Sequence, residues 1–294
     1  MIQPMLAQTG TKPFNRKGFI YEPKLDGVRC VAYLDHSTRL IARSGHDITR
    51  KFPELAQLHK QVKKPCILDS EITGVCFNAI QHRIHQEKDF AIRIAQKLYP
   101  ITFNAFDQMY QDTESIERLE LLDRKEILIG NFVQSPVGLL VGWQDDYTIA
   151  ENLYRHIEGM MAKAIHSTYQ EGRRSDSWLK IKNFKEGDFY ICGITEGEND
   201  RANTFGSLVL AQKVNGKLVY VGNVGSGFTH RQLDLMLKLA EIYRGECPFA
   251  TRPDTDRPVK FWTRPLLKCE VRYLELSPNG LLRIPTFRGK IERS

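Results

Sequence analysis

The chain has 294 residues, of which 41% are hydrophobic and 26% are charged. These proportions are typical of a globular protein and exclude a disordered chain, and no apolar run approaches the roughly 20 residues of a membrane-spanning helix. Lys and Arg outnumber Asp and Glu by 42 to 35, and this net charge of +7 suits a polyanionic partner such as a nucleic acid. The N-terminal residues contain no export signal, so we expect a cytoplasmic protein with no membrane partner.

The first part of the chain predicts alternating strands and helices. Asp26-Gly27 is typical of a hairpin turn between two strands. A helix is expected over 90–98, where apolar residues have helical spacing before Pro100. The clearest helical pattern covers 116–129, with apolar residues on one face and charged residues opposite. The predicted strands are 19–21, 28–34, 40–43, 66–72 and 101–106.

The composition changes after Lys185-Glu186-Gly187, where short β-rich runs separated by Gly- and Asn-containing turns begin. A helix is predicted from Thr229, as its N-cap, to 243. About five strands with one inserted helix match a small Greek-key barrel of the oligonucleotide-binding (OB) type. We therefore expect an α+β protein with two domains, residues 1–185 and 186–294. The predicted strands of the second domain are 188–194, 207–214, 218–224 and 266–276.

The most specific pattern in the sequence is Lys24-Leu25-Asp26-Gly27, followed by Arg29. A neutral amine is a nucleophile, and a neighbouring cation such as Arg29 favours the neutral form of Lys24. An ordinary hairpin would explain the Asp-Gly pair but leaves the lysine unexplained. Lys24 is therefore a candidate nucleophile.

This pattern resembles the active-site motif of the nucleotidyltransferase superfamily of ATP-dependent DNA ligases, RNA ligases and mRNA capping enzymes. In that superfamily the lysine becomes covalently bonded to a nucleoside monophosphate, which implies the same role for Lys24. The other motifs of the superfamily follow in order and at plausible distances. They are Arg43-Ser44-Gly45, Asp69-Ser70-Glu71, Phe106-Asp107, Glu158-Gly159-Met160-Met161-Ala162-Lys163, Ser177-Trp178-Leu179-Lys180-Ile181-Lys182 and Arg283-Ile284-Pro285-Thr286-Phe287-Arg288-Gly289.

The resemblance implies that the early motifs bind the nucleotide and the DNA end. Glu22 would recognise the amino group of adenine, and Phe106 would stack on the purine. Arg29 and Glu71 would hold the ribose, and Glu71 is also a candidate metal ligand. Arg43 would meet the 5′-phosphate of the broken strand. Plainer interpretations stay open, with Arg43 as an ordinary surface residue and Phe106 as a core residue.

The later motifs imply phosphate and metal chemistry. Glu158 would bind the catalytic magnesium, and Gly159 would permit close backbone approach. Lys180 and Lys182 alternate along a predicted strand, which places both ammonium groups on one face toward the phosphates. Lysines at such positions also protect exposed edge strands, which is the alternative explanation.

The final motif lies in the predicted OB domain. The resemblance implies that an arginine of this motif, Arg283 or Arg288, orients the leaving pyrophosphate, and Lys290 is a further candidate for that contact. The sequence departs from the superfamily pattern at Ser70, where a glycine is usual.

The resemblance extends from Pro4 to Arg288 and is similar to the ligase module of bacterial and archaeal end-joining ligases. It implies an adenylation domain of antiparallel sheets with flanking helices, followed by an OB-fold barrel. It also implies an ATP-dependent DNA ligase that seals 5′-phosphate/3′-hydroxyl nicks in duplex DNA through a lysyl-AMP intermediate. ATP and Mg²⁺ or Mn²⁺ are the expected cofactors. The expected state is a monomer in the prokaryotic nucleoid, with nicked double-stranded DNA and DNA-repair proteins as candidate partners.

Three alternatives remain. An RNA ligase shares the early motifs but usually lacks the barrel with its Arg-x-Pro-x-Phe ending. A capping guanylyltransferase shares both domains and would be labelled by GTP. A catalytically silent nucleic-acid-binding scaffold would have no reason to retain Lys24, Glu158, Lys180 and Lys182 together.

Overall fold

The computed structural model describes residues 2–12 and 14–293. The chain divides into two compact units, Met1–Asn183 and Phe184–Ser294. The domain boundary proposed from the sequence, residue 185, is the first residue of the strand Lys185–Thr195. Within the described residues, no helix combines the length and the apolar character needed to cross a membrane.

The first unit is built from short helices and two β-sheets. Its described strands are β1 (Leu6–Thr9), β2 (Phe19–Pro23), β3 (Gly27–Leu34), β4 (Thr38–Ala42), β5 (Cys66–Gly74), β6 (Ile101–Gln111), β7 (Glu114–Ser115), β8 (Gly138–Leu140), β9 (Gly159–Ala164) and β10 (Arg174–Lys182). Its α-helices are α1 (Phe77–Ile84), α2 (Asp89–Leu98), α3 (Leu121–Asn131) and α4 (Tyr147–Tyr154), and 3₁₀ turns cover Thr49–Lys51, Pro53–Leu55 and Leu58–Gln61.

The two sheets of this unit have different strand orders. The smaller sheet has the order β1-β10-β9-β2, and the larger has β4-β3-β5-β6-β7 with β8 beside β6. The pairs β1–β10 and β6–β8 are parallel, and the other pairs within these two sheets are antiparallel. Alternate residues of β3, β5 and β6, such as Leu34, Leu68 and Phe103, are buried in the main core cluster.

The hairpin predicted at Asp26-Gly27 is wrong. β2 pairs with β9 in the smaller sheet, whereas β3 pairs with β4 and β5 in the larger one. Residues 24–26 therefore connect the two sheets. The prediction failed because the dipeptide reports only local turn tendency, while the strand partners come from distant parts of the chain. Gly27 has another reason to be glycine, since a Cβ there would lie 2.2 Å from the carbonyl oxygen of Ile72 on β5.

Helix α3 differs from its prediction in both its start and its buried face. It begins at Leu121, later than the apolar pattern indicated, and Leu119 precedes the helix and is exposed. Its buried face includes Arg124 and Lys125. Arg124 makes two hydrogen bonds to the buried Asp107 carboxylate, at 2.9 and 2.8 Å. Apolar periodicity missed this face because it considers only apolar residues. Buried carboxylates also determine which residues of the helix are buried, since they need cationic partners.

In its described residues, the second unit is one antiparallel sheet with an inserted helix. Its described elements are β11 (Lys185–Thr195), β12 (Leu208–Val214), β13 (Lys217–Val224), α5 (His230–Ile242), β14 (Arg244–Gly245), β15 (Val259–Thr263), β16 (Leu267–Tyr273) and β17 (Thr286–Arg293), with a 3₁₀ turn at Asn199–Arg201. The long β11 pairs with β12 on one side and with β16 and then β15 on the other, and β16 also pairs with β17. Thr229 caps α5 in a capping box with Gln232, which confirms the predicted N-cap.

Candidate active site

A cavity of about 610 Å³ in the first unit is lined by residues of both sheets. Its walls come from β2, β9 and β10 of the smaller sheet, from β3, β5 and β6 of the larger sheet, and from the turn after β4. Residues from six separate sequence motifs therefore meet around one space. The sequence-predicted residues on its wall are Glu22, Lys24, Arg29, Arg43, Glu71, Phe106, Lys180 and Lys182.

Lys24 lies in the connection between the two sheets, with its side chain largely buried. Its Nζ donates a hydrogen bond to Oε2 of Glu158, and Nζ of Lys182 lies 3.1 Å from Oε1 of the same carboxylate. Glu158 immediately precedes β9, and the backbone amide of Asn183 donates to its carbonyl oxygen at 2.9 Å. One carboxylate therefore holds two of the predicted cations, although the sequence separates Lys24 from Glu158 by 134 residues.

Lys180 and Lys182 lie on β10, which is an inner strand between β1 and β9. The edge-strand explanation for these lysines is therefore wrong, and both line the cavity. Burial lowers the pKa of Lys180, and the positive charges of Arg174, Lys182, Lys24 and Arg43 lower it further. This crowding of cations would be relieved by a bound polyanion such as a triphosphate.

Arg29 is oriented by a buried carboxylate behind the cavity wall. Its Nε donates to Oδ1 of Asp69 at 2.9 Å, and the Tyr169 hydroxyl donates to Oδ2 of Asp69 at 2.7 Å. Arg29 faces Glu71 across the β3–β5 pair. Burial raises the pKa of Glu71 to about 8, against the opposing effects of Arg29 and Lys24.

Glu22 has two cationic partners that sequence patterns did not identify. Its side chain is 2% exposed, with Oε2 located 2.7 Å from Nζ of Lys163 and Oε1 in contact with Nζ of Lys125. Burial lowers the pKa of Lys163, and the charge of Glu22 opposes that effect. Lys163 ends the fourth motif. It lies two residues after the cavity residue Met161 on β9, and residues two apart in a strand share a face, so this spacing could have placed Lys163 on the cavity wall.

Phe106 on β6 is half-buried and lines the cavity. Nζ of Lys163 lies 4.4 Å from its ring centroid, and Cζ of Arg29 lies 5.5 Å from it. Trp178 of β10, also missed as a site residue, packs edge-on against Phe106 with ring centroids 6.3 Å apart. The aromatic wall of the cavity therefore has two rings with cations over them.

Arg283, Arg288 and Lys290 belong to the second unit, whereas the cavity is built from the first. Arg283 forms an ion pair with Glu275. Nε of Arg288 lies 3.3 Å from a carboxylate oxygen of Glu186. Nζ of Lys290 lies 2.7 Å from a carboxylate oxygen of Glu292.

The carboxylates Glu71 and Glu158 are oxygen donors of the kind that magnesium and manganese prefer. Within the described residues, no three His, Cys, Asp or Glu side chains cluster as a ready-made metal cage. Magnesium commonly binds through one or two carboxylates together with substrate phosphates and waters, and this donor set fits that pattern.

Family models match both units of the chain. The model described as the ATP dependent DNA ligase domain matches residues 4–182, and the ATP dependent DNA ligase C terminal region matches residues 201–292. These matches follow the two compact units and support adenylation and OB-fold architectures for the α+β chain. The predicted fold class is confirmed.

Two bacterial proteins illustrate the sequence similarity. The multifunctional non-homologous end joining protein LigD of Mycolicibacterium smegmatis is 33% identical over 97% of this chain, but the match covers 38% of that protein. The SPbeta prophage-derived DNA ligase-like protein LigB of Bacillus subtilis is 26% identical, with 98% of each chain covered. The chain thus spans less than half the length of the mycobacterial relative.

Solved structures of DNA ligases have a fold similar to that of this chain. The ligase domain of M. tuberculosis LigD superposes with a TM-score of 0.55 at 27% identity, covering 98% of this chain and 94% of that one. A Lig E DNA ligase has a TM-score of 0.66 at 15% identity and covers 98% and 99% of the two chains, which is a likeness of fold. Because the first family model covers more than half of the sequence, the chain belongs to the family of ATP-dependent DNA ligases.

Proposed function

We propose that this protein seals 5′-phosphate/3′-hydroxyl nicks in duplex DNA through an AMP group carried on Lys24. The observation that carries the proposal is the position of this amine, on the wall of a cavity that also presents Lys180 and Lys182. A nucleophilic nitrogen beside two cations is suited to attack on a nucleoside triphosphate, whose phosphates need their charge neutralised.

In the first step, Nζ of Lys24 attacks the α-phosphorus of ATP. A phosphorus–nitrogen bond forms while the bond to the bridging oxygen breaks, and pyrophosphate leaves with the electron pair. Oε2 of Glu158 accepts the hydrogen bond from Lys24, so it orients the amine and is placed to take its proton. Lys180 and Lys182 neutralise the phosphate charge, so positioning and electrostatics supply most of the catalysis.

Two further displacements at phosphorus complete the reaction. The 5′-phosphate at the nick attacks the AMP phosphorus and releases Lys24. The 5′-phosphorus then carries AMP, a good leaving group, in place of a poor one. The 3′-hydroxyl then attacks the activated 5′-phosphate, and AMP leaves. Arg43, exposed in the turn that lines the cavity, is the residue proposed to hold the 5′-phosphate.

The nucleotide itself would be held by four cavity residues. Glu22 accepts from the adenine amino group, and Phe106 provides the stacking surface. Arg29 and Glu71 hold the ribose, and Asp69 fixes the orientation of Arg29. These roles are supported by their shared cavity and by the motif order.

Glu71 and Glu158 are the residues that would hold Mg²⁺ or Mn²⁺. The ion would supply charge neutralisation for the phosphates. Arg283 or Arg288 of the second unit would orient pyrophosphate. Residues 1–185 would then act as the adenylation domain and residues 186–294 as the OB-fold domain, in a monomer whose partners are nicked DNA and DNA-repair proteins of a prokaryotic nucleoid.

The test is incubation with ATP radiolabelled at its α-phosphate, followed by addition of a nicked DNA duplex. We expect label on the protein, its transfer to the nick, and a sealed strand. Lys24→Ala should abolish protein labelling, while Lys17→Ala, at an exposed position outside the cavity, should retain it. Lysine-linked label on the Lys24→Ala protein would move the nucleophile elsewhere. Labelling by GTP, or sealing of RNA alone, would favour the capping or RNA-ligase alternatives.

A further inference from the structure

The buried carboxylate of Glu22 is held from two sides by ammonium groups. Nζ of Lys163 on β9 approaches Oε2 at 2.7 Å, and Nζ of Lys125 on α3 contacts Oε1. Both lysine side chains are at least as inaccessible as that of Glu22, with 1% of Lys125 and 2% of Lys163 exposed. Each oxygen of Glu22 therefore lies beside an ammonium group, which has hydrogens to donate and no acceptor. The contact of Lys125 with Oε1 is an ion pair, and Oε1 has no hydrogen-bond partner within the described residues.

Glu22 also belongs to the cavity wall, close to the aromatic surface. The Lys163 ammonium that holds Glu22 lies 4.4 Å from the ring centroid of Phe106, and Lys125 donates to the Phe106 carbonyl oxygen at 3.0 Å. The two lysines thus connect the carboxylate to the ring proposed to stack on the purine. A carboxylate has about four lone-pair sites, and Oε1 accepts no hydrogen bond within the described residues, so acceptor capacity remains for a ligand.

We infer that Lys163 and Lys125 are positioning residues that make Glu22 an acceptor only, and that they thereby select purines with a 6-amino group over purines with a 6-oxo group. A 6-amino group donates to such a carboxylate. A 6-oxo group would place two acceptors against each other in a desolvated site, which is costly. The inference rests on the proposed function and names the pair that enforces its nucleotide choice.

The charged groups around Glu22 determine the effect of removing Lys163. Lys125 faces Glu22 from α3. Burial raises the pKa of Tyr154 on α4, and the negative charge of Glu22 raises it further. Asp107 on β6 lies near Lys163 but is bound by Arg124. With Lys163 replaced by methionine, Glu22 keeps one cation for two oxygens. A buried carboxylate that has lost a cation favours its neutral form, whose hydroxyl group donates a hydrogen bond that fits a 6-oxo group.

The test compares protein labelling by ATP and by inosine triphosphate, each radiolabelled at the α-phosphate, at pH 6 and pH 8. Inosine replaces the 6-amino group of adenosine by a 6-oxo group and adds no 2-amino group. The wild-type protein should prefer ATP by at least about tenfold at both pH values. Lys163→Met should lose most of this preference at pH 6 and less of it at pH 8. Lys163→Arg should restore the preference, and Lys17→Met is the matched exposed control.

Glu22→Gln provides a second test that does not depend on Lys163. Its amide can donate as well as accept, so the preference should fall at both pH values. A wild-type protein that uses both nucleotides equally would overturn the inference, and so would an unchanged preference in Lys163→Met or Glu22→Gln. If Lys163→Met does not fold, the wild-type ratio and Glu22→Gln decide. Absence of label from both nucleotides in the wild-type protein would instead contradict the proposed function, and with it the inference.

Discussion

The backbone amide of Lys24 donates a 2.9 Å hydrogen bond to the carbonyl oxygen of Gly159. This bond ties the loop of the proposed nucleophile to the start of β9, one residue after Glu158. Gly159 has a φ of +152°, and a Cβ at this position would lie 2.1 Å from the carbonyl oxygen of Ile181 on β10. Glycine at position 159 therefore allows Lys24, Glu158 and strand β10 to approach one another closely.

Gly159→Ala should destabilise the protein and misplace Lys24. We expect a loss of about 2 kcal/mol or more in the free energy of unfolding, because the added methyl group meets backbone. Labelling by ATP should fall by about a hundredfold, since small misplacements of reacting groups are costly. Denaturant unfolding and labelling measure the two effects. Gly130→Ala in α3, where an added Cβ meets nothing within 4 Å, is the matched control. It should reduce neither the free energy of unfolding nor labelling by ATP. Equal effects of the two changes would refute this role for Gly159.

Phe106→Ala should weaken the use of ATP far more than the joining of nicks that already carry AMP. Stacking of a base on an aromatic ring is worth about 1–3 kcal/mol, so the KM for ATP should rise by about tenfold to a hundredfold. Phe90→Ala, at a position that is 76% exposed on α2, should change neither reaction. Steady-state kinetics with the two substrates separate the outcomes. An equal loss in both reactions would assign the Phe106 ring to packing.

Lys180→Met should stabilise the fold while it impairs catalysis. The pKa of Lys180 is below its ordinary value of 10.5, so its charge costs stability at neutral pH. The gain on replacement should be about 0.3 kcal/mol after solvent screening, because the group is partly exposed. That gain should shrink as the pH rises toward 10.5 and wild-type Lys180 loses its proton. Thermal unfolding across pH measures it, and labelling should fall by about a hundredfold. A less stable variant at pH 7 would contradict the crowding of cations.

Binding of nicked DNA should weaken steeply with salt, since most contacts are expected to be with phosphates. The affinity should fall by more than about tenfold between 50 and 200 mM salt. Fluorescence anisotropy with a nicked duplex measures this slope. An affinity independent of salt would exclude phosphate contacts as the main source of binding.

The sequence predicted which residues meet at the cavity better than it predicted how the chain brings them there. Glu22, Lys24, Arg29 and Glu71 were named from motifs alone, and all four line one space. The Asp26-Gly27 hairpin was wrong because strand pairing depends on β5 and β9, far away in the sequence.

The sequence analysis missed Lys125 and Lys163 as partners of Glu22 for one physical reason. Lys125 and Lys163 are charged side chains in the interior, and hydrophobic patterning assigns charged residues to the surface. Their burial is understandable only when Glu22, which lies far from both in the sequence, is seen between them. Buried ion pairs of this kind are tertiary features, which a local pattern does not encode.

The most direct measurement is to locate AMP on the protein after incubation with ATP and a divalent cation, by peptide mass spectrometry without nicked DNA. We predict one adduct, on Nζ of Lys24, which disappears when nicked DNA is added. An adduct on any other residue, or an unmodified Lys24 in protein that seals nicks with ATP, would contradict the proposed role of this amine.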